Sequence, residues 1–189
     1  MDFEREMEEK MRAVFKKPIA FTIATLNVEP TPEQAKFLHS RGKRTAIEGK
    51  ELSGRTTIMM AKALWLALNE KGITIAFVVK DEYSKKRLML YLQTLTLNNW
   101  FFKERIITNQ NGMITFDTGS RLIVTTGLEE VQKKLPDYLF FDDAGQHPQL
   151  KKLDLKKAGN IIISYNPEVA QLEVEHNDLF KFEPLMNNA

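Results

Sequence analysis

One eight-residue segment, Gly49-Lys50-Glu51-Leu52-Ser53-Gly54-Arg55-Thr56, constrains the fold of this chain most strongly. Its spacing is that of a phosphate-binding loop (P-loop, or Walker A motif), except that arginine stands where lysine is expected. A short apolar run, residues 45–47, precedes the loop, and a helical pattern begins at Thr56. The glycines let backbone N–H groups turn towards a phosphate, and the helix N-terminus adds partial positive charge there. The sequence therefore predicts a strand, a phosphate-binding loop and a helix in succession.

Composition excludes several classes of protein. A chain of 189 residues, 43% apolar and 28% charged, is long enough for one globular domain with a substantial core. The absence of cysteine excludes disulfides and thiolate metal sites, and the three histidines show no metal-ligand spacing. No apolar run approaches the ~20 residues that a membrane-spanning helix needs. A net charge of only +2 means that any contact with nucleic acid must depend on local patches.

The hydrophobic pattern alternates between two periods along the chain. Helical periodicity predicts helices near residues 2–16, 31–40, 56–69, 82–97 and 128–133. Short β-prone runs predict strands near residues 44–48, 73–79, 105–108, 113–117, 121–126, 138–142 and 160–164. This alternation predicts an α/β fold with a mostly parallel central sheet flanked by helices, and an antiparallel hairpin near 113–126. From about Pro167 the periodicity weakens.

A second segment adds acidic chemistry to the loop. Residues 138–143 form an apolar run that ends in two carboxylates, Asp142 and Asp143. In a nucleotide hydrolase the first acid and the loop threonine, here Thr56, hold Mg²⁺ (the Walker B role), and the next acid activates water. The alternative is a strand that ends at an ordinary turn, where aspartate is common. Because the loop lies upstream, we favour the functional interpretation, with Asp143 as the base.

A third segment, residues 160–167, is a buried strand that ends in small polar residues. In motor ATPases such a strand lies beside the acidic strand, and its polar end senses the γ-phosphate. A strand that runs into an Asn-Pro turn explains these residues equally well.

Taken in order, these segments resemble the ATPase domain of the large terminase subunit, the motor that packages DNA into viral capsids. The resemblance covers most of residues 30–167. It includes Thr-Pro-Glu-Gln at 31–34, similar to the glutamine motif before the loop, and Gly-Ser, a strand and Gly-Leu at 119–128. It also includes an early basic residue in the loop, Lys50, and Ser-Tyr-Asn-Pro at 164–167, similar to the coupling motif.

The resemblance implies a single P-loop NTPase domain of the RecA/ASCE-like type. Its core would span residues 31–167, after an N-terminal helical arm and a lead-in at 1–30 and before an extension at 168–189 without the family's nuclease domain. It implies ATP and Mg²⁺ as cofactors and double-stranded DNA, a ring of subunits on a capsid portal and the small terminase subunit as partners, in the host cell cytoplasm and without a membrane. The implied nucleotide-binding residues are Gln34, Gly49, Lys50, Glu51, Leu52, Ser53, Gly54, Arg55, Thr56 and Thr57. The implied metal residues are Thr56 and Asp142, the catalytic residues Asp143, Lys50 and Arg55, and the coupling residues Ser164, Tyr165 and Asn166.

Two residues depart from the family pattern. Arg55 replaces the usual lysine, and a planar guanidinium does not substitute freely for an ammonium group. Lys50 is positioned to supply that ammonium from the other side of the loop. Asp143 replaces the usual glutamate and is shorter by one methylene. We still expect ATPase activity, because Thr56 and both acidic positions are kept.

Two other functions remain open from the sequence: the first motor domain of a helicase, and a degenerate nucleotide fold that serves as a binding or assembly module. An arginine finger would come from Arg41, Arg44, Arg87, Arg105 or Arg121, although an ordinary solvated charge is favoured for each. Two basic clusters, residues 85–87 and residues 151–157, are weak candidates for DNA contact.

Overall fold

A computed structural model describes residues 10–11, 13–110, 112–127, 129, 135–144, 159–169 and 176–184. The helices are α1 (Pro18–Leu26), α2 (Pro32–His39), α3 (Arg55–Asn69), α4 (Glu82–Asn98) and α5 (Trp100–Arg105). The strands are β1 (Arg44–Gly49), β2 (Thr74–Val78), β3 (Ile106–Gln110), β4 (Met113–Phe116), β5 (Arg121–Thr125), β6 (Tyr138–Phe141), β7 (Asn160–Tyr165) and β8 (Asp178–Phe182). Residues 13–15 are also helical, within the predicted first helix.

The eight strands form one sheet in the order β3-β4-β5-β2-β6-β7-β1-β8. Strands β5, β2, β6, β7, β1 and β8 pair in parallel, which confirms the predicted α/β fold. Strand β4 pairs antiparallel with β5, as predicted for the hairpin, and β3 extends this antiparallel end. The loop strand β1 and the acidic strand β6 are separated by β7 alone, so three predicted site segments end side by side.

Central strands and the helix after the loop form the core. Strand β2 is buried from Ile75 to Val78, as a central parallel strand covered on both faces should be. The rings of Phe77 and Phe140 stack with centroids 5.7 Å apart, which joins β2 to β6. Helix α3 is buried on most sides, in agreement with its nearly continuous apolar sequence. No helix in the described ranges is long and apolar enough to cross a membrane.

Strand β8 lies after Pro167, where the periodicity of the sequence weakens, and the sequence did not predict it. It pairs in parallel with β1 and packs Phe180 and Phe182 against Phe37, with ring centroids 5.7 and 6.1 Å apart. Its short alternation, in which Leu179 and Lys181 are exposed, is too brief to stand out in the sequence.

Helices α1 and α5 were not predicted either. α1 contains β-branched residues, which weaken the helical signal, and it ends at Asn27 in a left-handed conformation (φ 52°). Arg105 ends α5, whereas the sequence assigned it to a strand. Most of the helix predicted near 128–133 and most of the first predicted helix lie outside the described residues.

The parallel strands give the sheet two distinct edges. At the carboxyl edge, where these strands end, lie the loop after β1, the acids after β6 and the polar residues after β7. At the amino edge the same strands begin, with Arg44, Arg121, Tyr138 and Asn160. A strand of five or six residues is about 16–20 Å long, so the two edges are separate sites.

Candidate functional site

The loop at the carboxyl edge has the backbone that its glycines permit. Gly54 has φ 76° and caps α3, while Leu52 adopts a left-handed φ of 62°. A Cβ atom on Gly49 would lie 2.5 Å from Ser53 Oγ and 3.0 Å from the carbonyl oxygen of Phe182. Only glycine fits between the loop and β8 without displacement, so the predicted turn is present.

Gln34 lies beneath the loop. Helix α2 begins with the predicted capping box: Thr31 Oγ1 accepts from the Gln34 N–H, and Gln34 Oε1 accepts from the Thr31 N–H at 2.9 Å. Gln34 Nε2 then donates to the carbonyl oxygen of Ser53 at 3.0 Å. The side chain is buried and supports the loop directly, and its implied role in nucleotide binding remains a prediction.

Thr56, Asp142 and Ser164 meet, as their strand-end positions predict. Thr56 Oγ1 donates to Asp142 Oδ2 at 2.7 Å, and Ser164 Oγ donates to Asp142 Oδ1 at 2.9 Å. The Asp143 backbone N–H donates to the same Ser164 hydroxyl at 3.1 Å. Burial raises the pKa of Asp142 above its usual value, and the negative charge of Asp143 adds to this, while the hydrogen bonds from Thr56 and Ser164 oppose it.

Arg55 reaches across the site to the second acid. Its Nη2 lies 3.0 Å from Asp143 Oδ1, and Lys80 Nζ lies 3.9 Å from Asp143 Oδ2. The Arg55 side chain is only 9% exposed, and its buried Nη1 has no hydrogen-bond partner. Asp143 has φ 53°, a left-handed conformation that costs of order 1–3 kcal/mol in a residue other than glycine. The proposed base is therefore held between two cations.

Lys50 is on the other side of the loop. Its Nζ lies 2.6 Å from Glu168 Oε1, and this hydrogen bond raises the pKa of Lys50. Both side chains are more than half exposed, so the pair contributes little to stability. Glu51 and Leu52 also face solvent. The structure thus brings Arg55, and not Lys50, to the acidic residues.

The end of β7 contacts the residue before the loop. Tyr165 Oη donates to Glu48 Oε2 at 2.6 Å, and Lys181 Nζ lies 3.6 Å from Glu48 Oε1. Burial and the Glu48 hydrogen bond raise the pKa of Tyr165 to about 12. Asn166 Oδ1 accepts from the backbone N–H of Glu168 at 3.1 Å. The predicted coupling residues thus touch both the acids and the loop strand.

The sequence did not single out Glu48, Lys80 or Glu168. Glu48 and Lys80 were predictable in principle, because each lies at the carboxyl end of a parallel strand beside the site. Glu168 follows β7 in an irregular segment, and nothing in its local pattern marks it as a partner of Lys50.

The direction of the strands separates the arginine-finger candidates into those near the glycine loop and those far from it. Arg44 and Arg121 begin strands at the amino edge, Arg41 precedes β1, and Arg105 precedes β3 and pairs with Asp117. These four arginines cannot reach the loop of their own subunit.

Arg87 is the candidate that lies near the acids. It lines a cavity of about 380 Å³ together with Thr56, Thr57 and the two aspartates. Its guanidinium carbon lies 5.8 Å from the centroid of the Tyr83 ring. The neighbouring Lys85 lies 3.9 Å from Glu82, as expected for a solvated helix face.

The residues present fit a nucleotide with its metal. Ser53 Oγ and Arg55 Nη1 are buried polar atoms of the loop segment, and neither has a hydrogen-bond partner among the described residues. The Thr56 hydroxyl and Asp142 carboxylate are hard oxygen ligands of the kind that Mg²⁺ prefers. No group of three or more histidine, cysteine or acidic residues that would hold a metal by itself occurs in the described part of the chain. Such a sparse ligand set suits a metal completed by phosphate and water.

A strand, a glycine loop and a helix, with one strand between the loop strand and the acidic strand, define a P-loop NTPase fold. No protein-family model matches the chain, and no curated protein matches its sequence. Solved structures do match: the chain has the fold of the ATPase domain of bacteriophage large terminases.

Three of these structures illustrate the similarity. A variant of the ATPase domain of the Thermus phage P74-26 large terminase has a TM-score of 0.63 at 10% identity, covering 85% of this chain and 83% of that one. The HK97 bacteriophage large terminase has a TM-score of 0.64 at 12% identity, covering 82% and 38%. The large terminase of another thermophilic bacteriophage, in complex with ATP-gamma-S, has a TM-score of 0.56 at 16% identity, covering 82% and 45%. The chain thus spans less than half the length of the latter two proteins.

Proposed function

We propose that this chain is an ATP-hydrolysing motor domain that drives double-stranded DNA into a viral capsid. One observation carries the proposal: Arg55 and Thr56, at the end of the glycine loop, face Asp143 and Asp142 at hydrogen-bonding distance. A phosphate-binding loop opposite two ordered carboxylates is the arrangement that nucleotide hydrolysis requires. The fold shared with large terminase ATPase domains supports the packaging role.

Each side chain has a defined task in this proposal. The loop from Gly49 to Gly54 and the Arg55 guanidinium would bind the phosphates, and Thr56 with Asp142 would hold Mg²⁺. The metal supplies charge stabilisation for the transferred phosphoryl group. If a phosphate draws the Arg55 guanidinium away from Asp143, the exchange would free the carboxylate to accept a proton from water. Binding of nucleotide and activation of the base are therefore linked through one side chain.

The motor role implies an assembly. Several copies of the chain would form a ring on a capsid portal in the host cytoplasm, act on double-stranded DNA and cooperate with a small terminase subunit. The described arginines leave Arg87 as the finger candidate within the subunit. A finger from a neighbouring subunit is the other source.

ATP turnover by the purified chain tests the proposal. Asp143→Asn should lower the turnover rate by about 100-fold or more, because general base catalysis is worth about 10²–10⁴-fold. Asp117→Asn is the matched control: this aspartate also pairs with an arginine, Arg105, but lies outside the site. An unchanged rate in Asp143→Asn would show that another group activates the water.

The Arg55–Asp143 ion pair also favours a second candidate, a nucleotide fold that serves as an assembly module. In this alternative the pair is permanent and closes the site. Calorimetry with ATP and Mg²⁺ separates the two functions. No binding at millimolar nucleotide would exclude the motor and support the module.

A further inference from the structure

The amino edge of the sheet holds a second cavity, of about 390 Å³, on the side of the molecule away from the glycine loop. It is formed where the end of α2, the second half of α3 and the start of α1 meet the first residues of β6 and β7. We call it the amino-edge pocket and define it by Lys16, Lys17, His39, Arg41, Trp65 and Tyr138. We propose that this pocket binds the phosphodiester backbone of nucleic acid.

The lining of the pocket carries more cations than carboxylates, and the nearby carboxylate of Asp178 lies behind it, beside Gly42. Lys16, Lys17 and Arg41 are exposed and form no ion pair with any described residue. The one carboxylate in the lining belongs to Glu70, which accepts a hydrogen bond from Tyr138 Oη at 3.1 Å. Like charges gathered around a hollow raise its positive potential, and an anion that enters relieves their mutual repulsion.

Lys62 forms the floor of the pocket, where its Nζ supports the neighbouring chain rather than serving as a ligand. Its Nζ donates to the carbonyl oxygens of Phe37 and Ser40, at 2.7 and 2.8 Å, and to Ser40 Oγ at 2.8 Å. These bonds hold the end of α2, and with it the turn that carries Arg41. The cations above the floor therefore stand on a fixed support.

Aromatic surface and size favour a nucleic-acid chain over a lone anion or an acidic peptide. The Trp65 ring is held by its Nε1–H, which donates to the carbonyl oxygen of Phe15 at 3.1 Å, and it remains partly exposed. Tyr138 is partly exposed on the same lining. Cations interleaved with aromatic rings are the recurring surface for sugar-phosphate chains and bases. A volume of about 390 Å³ exceeds what one phosphate ion fills.

Two of the three helices that build the pocket, α2 and α3, also reach the glycine loop. Helix α3 runs from Arg55 to Asn69, about 22 Å, with its first turn at the loop and its later turns at the pocket. Helix α2 begins with Gln34 on Ser53 of the loop and ends at the pocket. The inference does not depend on ATP hydrolysis, because it rests on the pocket alone.

Binding of a short fluorescent DNA duplex and of its single strand, measured without nucleotide across a range of salt concentrations, tests the inference. The pocket variant is Lys17→Gln combined with Arg41→Gln. The matched control is Lys71→Gln combined with Arg121→Gln, which removes one exposed lysine and one exposed arginine elsewhere at the amino edge. Circular dichroism and thermal melting verify that both variants fold.

The pocket variant should weaken DNA binding about tenfold and reduce the slope of log affinity against log salt by about 2, one per lost phosphate contact. The control should change affinity less than about twofold. Stronger binding of the duplex or of the single strand identifies which form the pocket takes. Equal losses in both variants, or no loss in either, would overturn the inference. So would a polyglutamate peptide of equal charge that competes as well as DNA, since it would identify an acidic protein segment as the ligand.

Discussion

Arg55 and Asp143 form an ion pair across the candidate site, with Nη2 and Oδ1 3.0 Å apart, although 88 positions separate them in the chain. The residue that departs from the loop pattern thus contacts the residue that departs from the acidic pattern. The arginine side chain is longer than the lysine side chain, and the aspartate side chain is shorter than the glutamate side chain. The longer cationic side chain thus spans the distance to the shorter acid.

The strength of this pair is measurable. Arg55→Gln and Asp143→Asn should each destabilise the nucleotide-free protein, because each leaves a partly buried charge without its partner. A double-mutant cycle by urea unfolding should give a coupling energy on the order of 1–2 kcal/mol, less than for a fully buried pair because Asp143 is 29% exposed. The Lys50–Glu168 pair is the control, since both of its side chains are exposed, and its coupling should be within about 0.5 kcal/mol of zero. Equal coupling for the two pairs would contradict the burial argument.

The hydroxyl of Thr56 should be needed for the metal. Thr56→Val keeps the shape of the side chain but removes the oxygen that contacts Asp142, and we expect binding of ATP with Mg²⁺ to weaken about 10- to 100-fold. Thr56→Ser retains the hydroxyl and should bind within about threefold of the original protein. Calorimetry with and without Mg²⁺ provides the measurement. If Thr56→Val affects binding equally in the two conditions, Thr56 is not a metal ligand.

Ser164 should affect turnover more than folding. Its hydroxyl contacts Asp142 and receives the Asp143 N–H, so Ser164→Ala removes both restraints on the acids and leaves a buried donor unpaired. We expect the free energy of unfolding to fall by about 1–3 kcal/mol and kcat to fall at least tenfold.

Ser120→Ala is the matched control for this substitution. That hydroxyl is also buried and also forms two hydrogen bonds, in its case with the backbone of Glu70 and Ile73, but it lies at the amino edge. It should lose similar stability with kcat unchanged. A proportional fall in kcat for both variants would show that Ser164 acts only through stability.

Lys62 makes stability depend on pH. Burial lowers the pKa of Lys62 to about 7 in the folded chain, against 10.5 for an unperturbed lysine. Between these values the unfolded chain binds more protons than the folded one, so the contribution of this group to stability rises as pH increases. The unfolding free energy of the original protein minus that of Lys62→Met should therefore rise by about 1 kcal/mol per pH unit from pH 7 towards 10. A difference that stays constant over this range would show that the lysine titrates normally.

The general rule that parallel strands end at one edge predicted how the site comes together. Thr56, Asp142 and Ser164 meet because each follows or ends such a strand, and that position can be read from alternating hydrophobic segments. The element that the sequence did not predict at this end of the sheet is a short strand. Strand β8 has only five residues, and two of them are charged. It forms by pairing with β1, which lies far away in the sequence.

The partners of the two loop cations could not be predicted from the sequence, for a different reason. Lys50 and Arg55 are both long cations on one loop, and spacing alone left both as partners for a phosphate. The structure distinguishes them because the Arg55 side chain is enclosed and directed towards β6, while Lys50 extends towards the segment after β7. Such a choice depends on the tertiary surroundings of flexible arms, which a local pattern does not contain.

Strand β7 has a mechanical consequence that follows from its place between β1 and β6. Its backbone pairs with β1 on one side and β6 on the other. Its final residues add side-chain hydrogen bonds, from Ser164 to Asp142 and from Tyr165 to Glu48. Sliding the loop strand against the acidic strand would break the backbone hydrogen bonds on both sides of β7 and both side-chain contacts together. The loop strand and the acidic strand are therefore both fixed to β7, so a rearrangement of this site has to involve side chains and helices around a sheet that stays rigid.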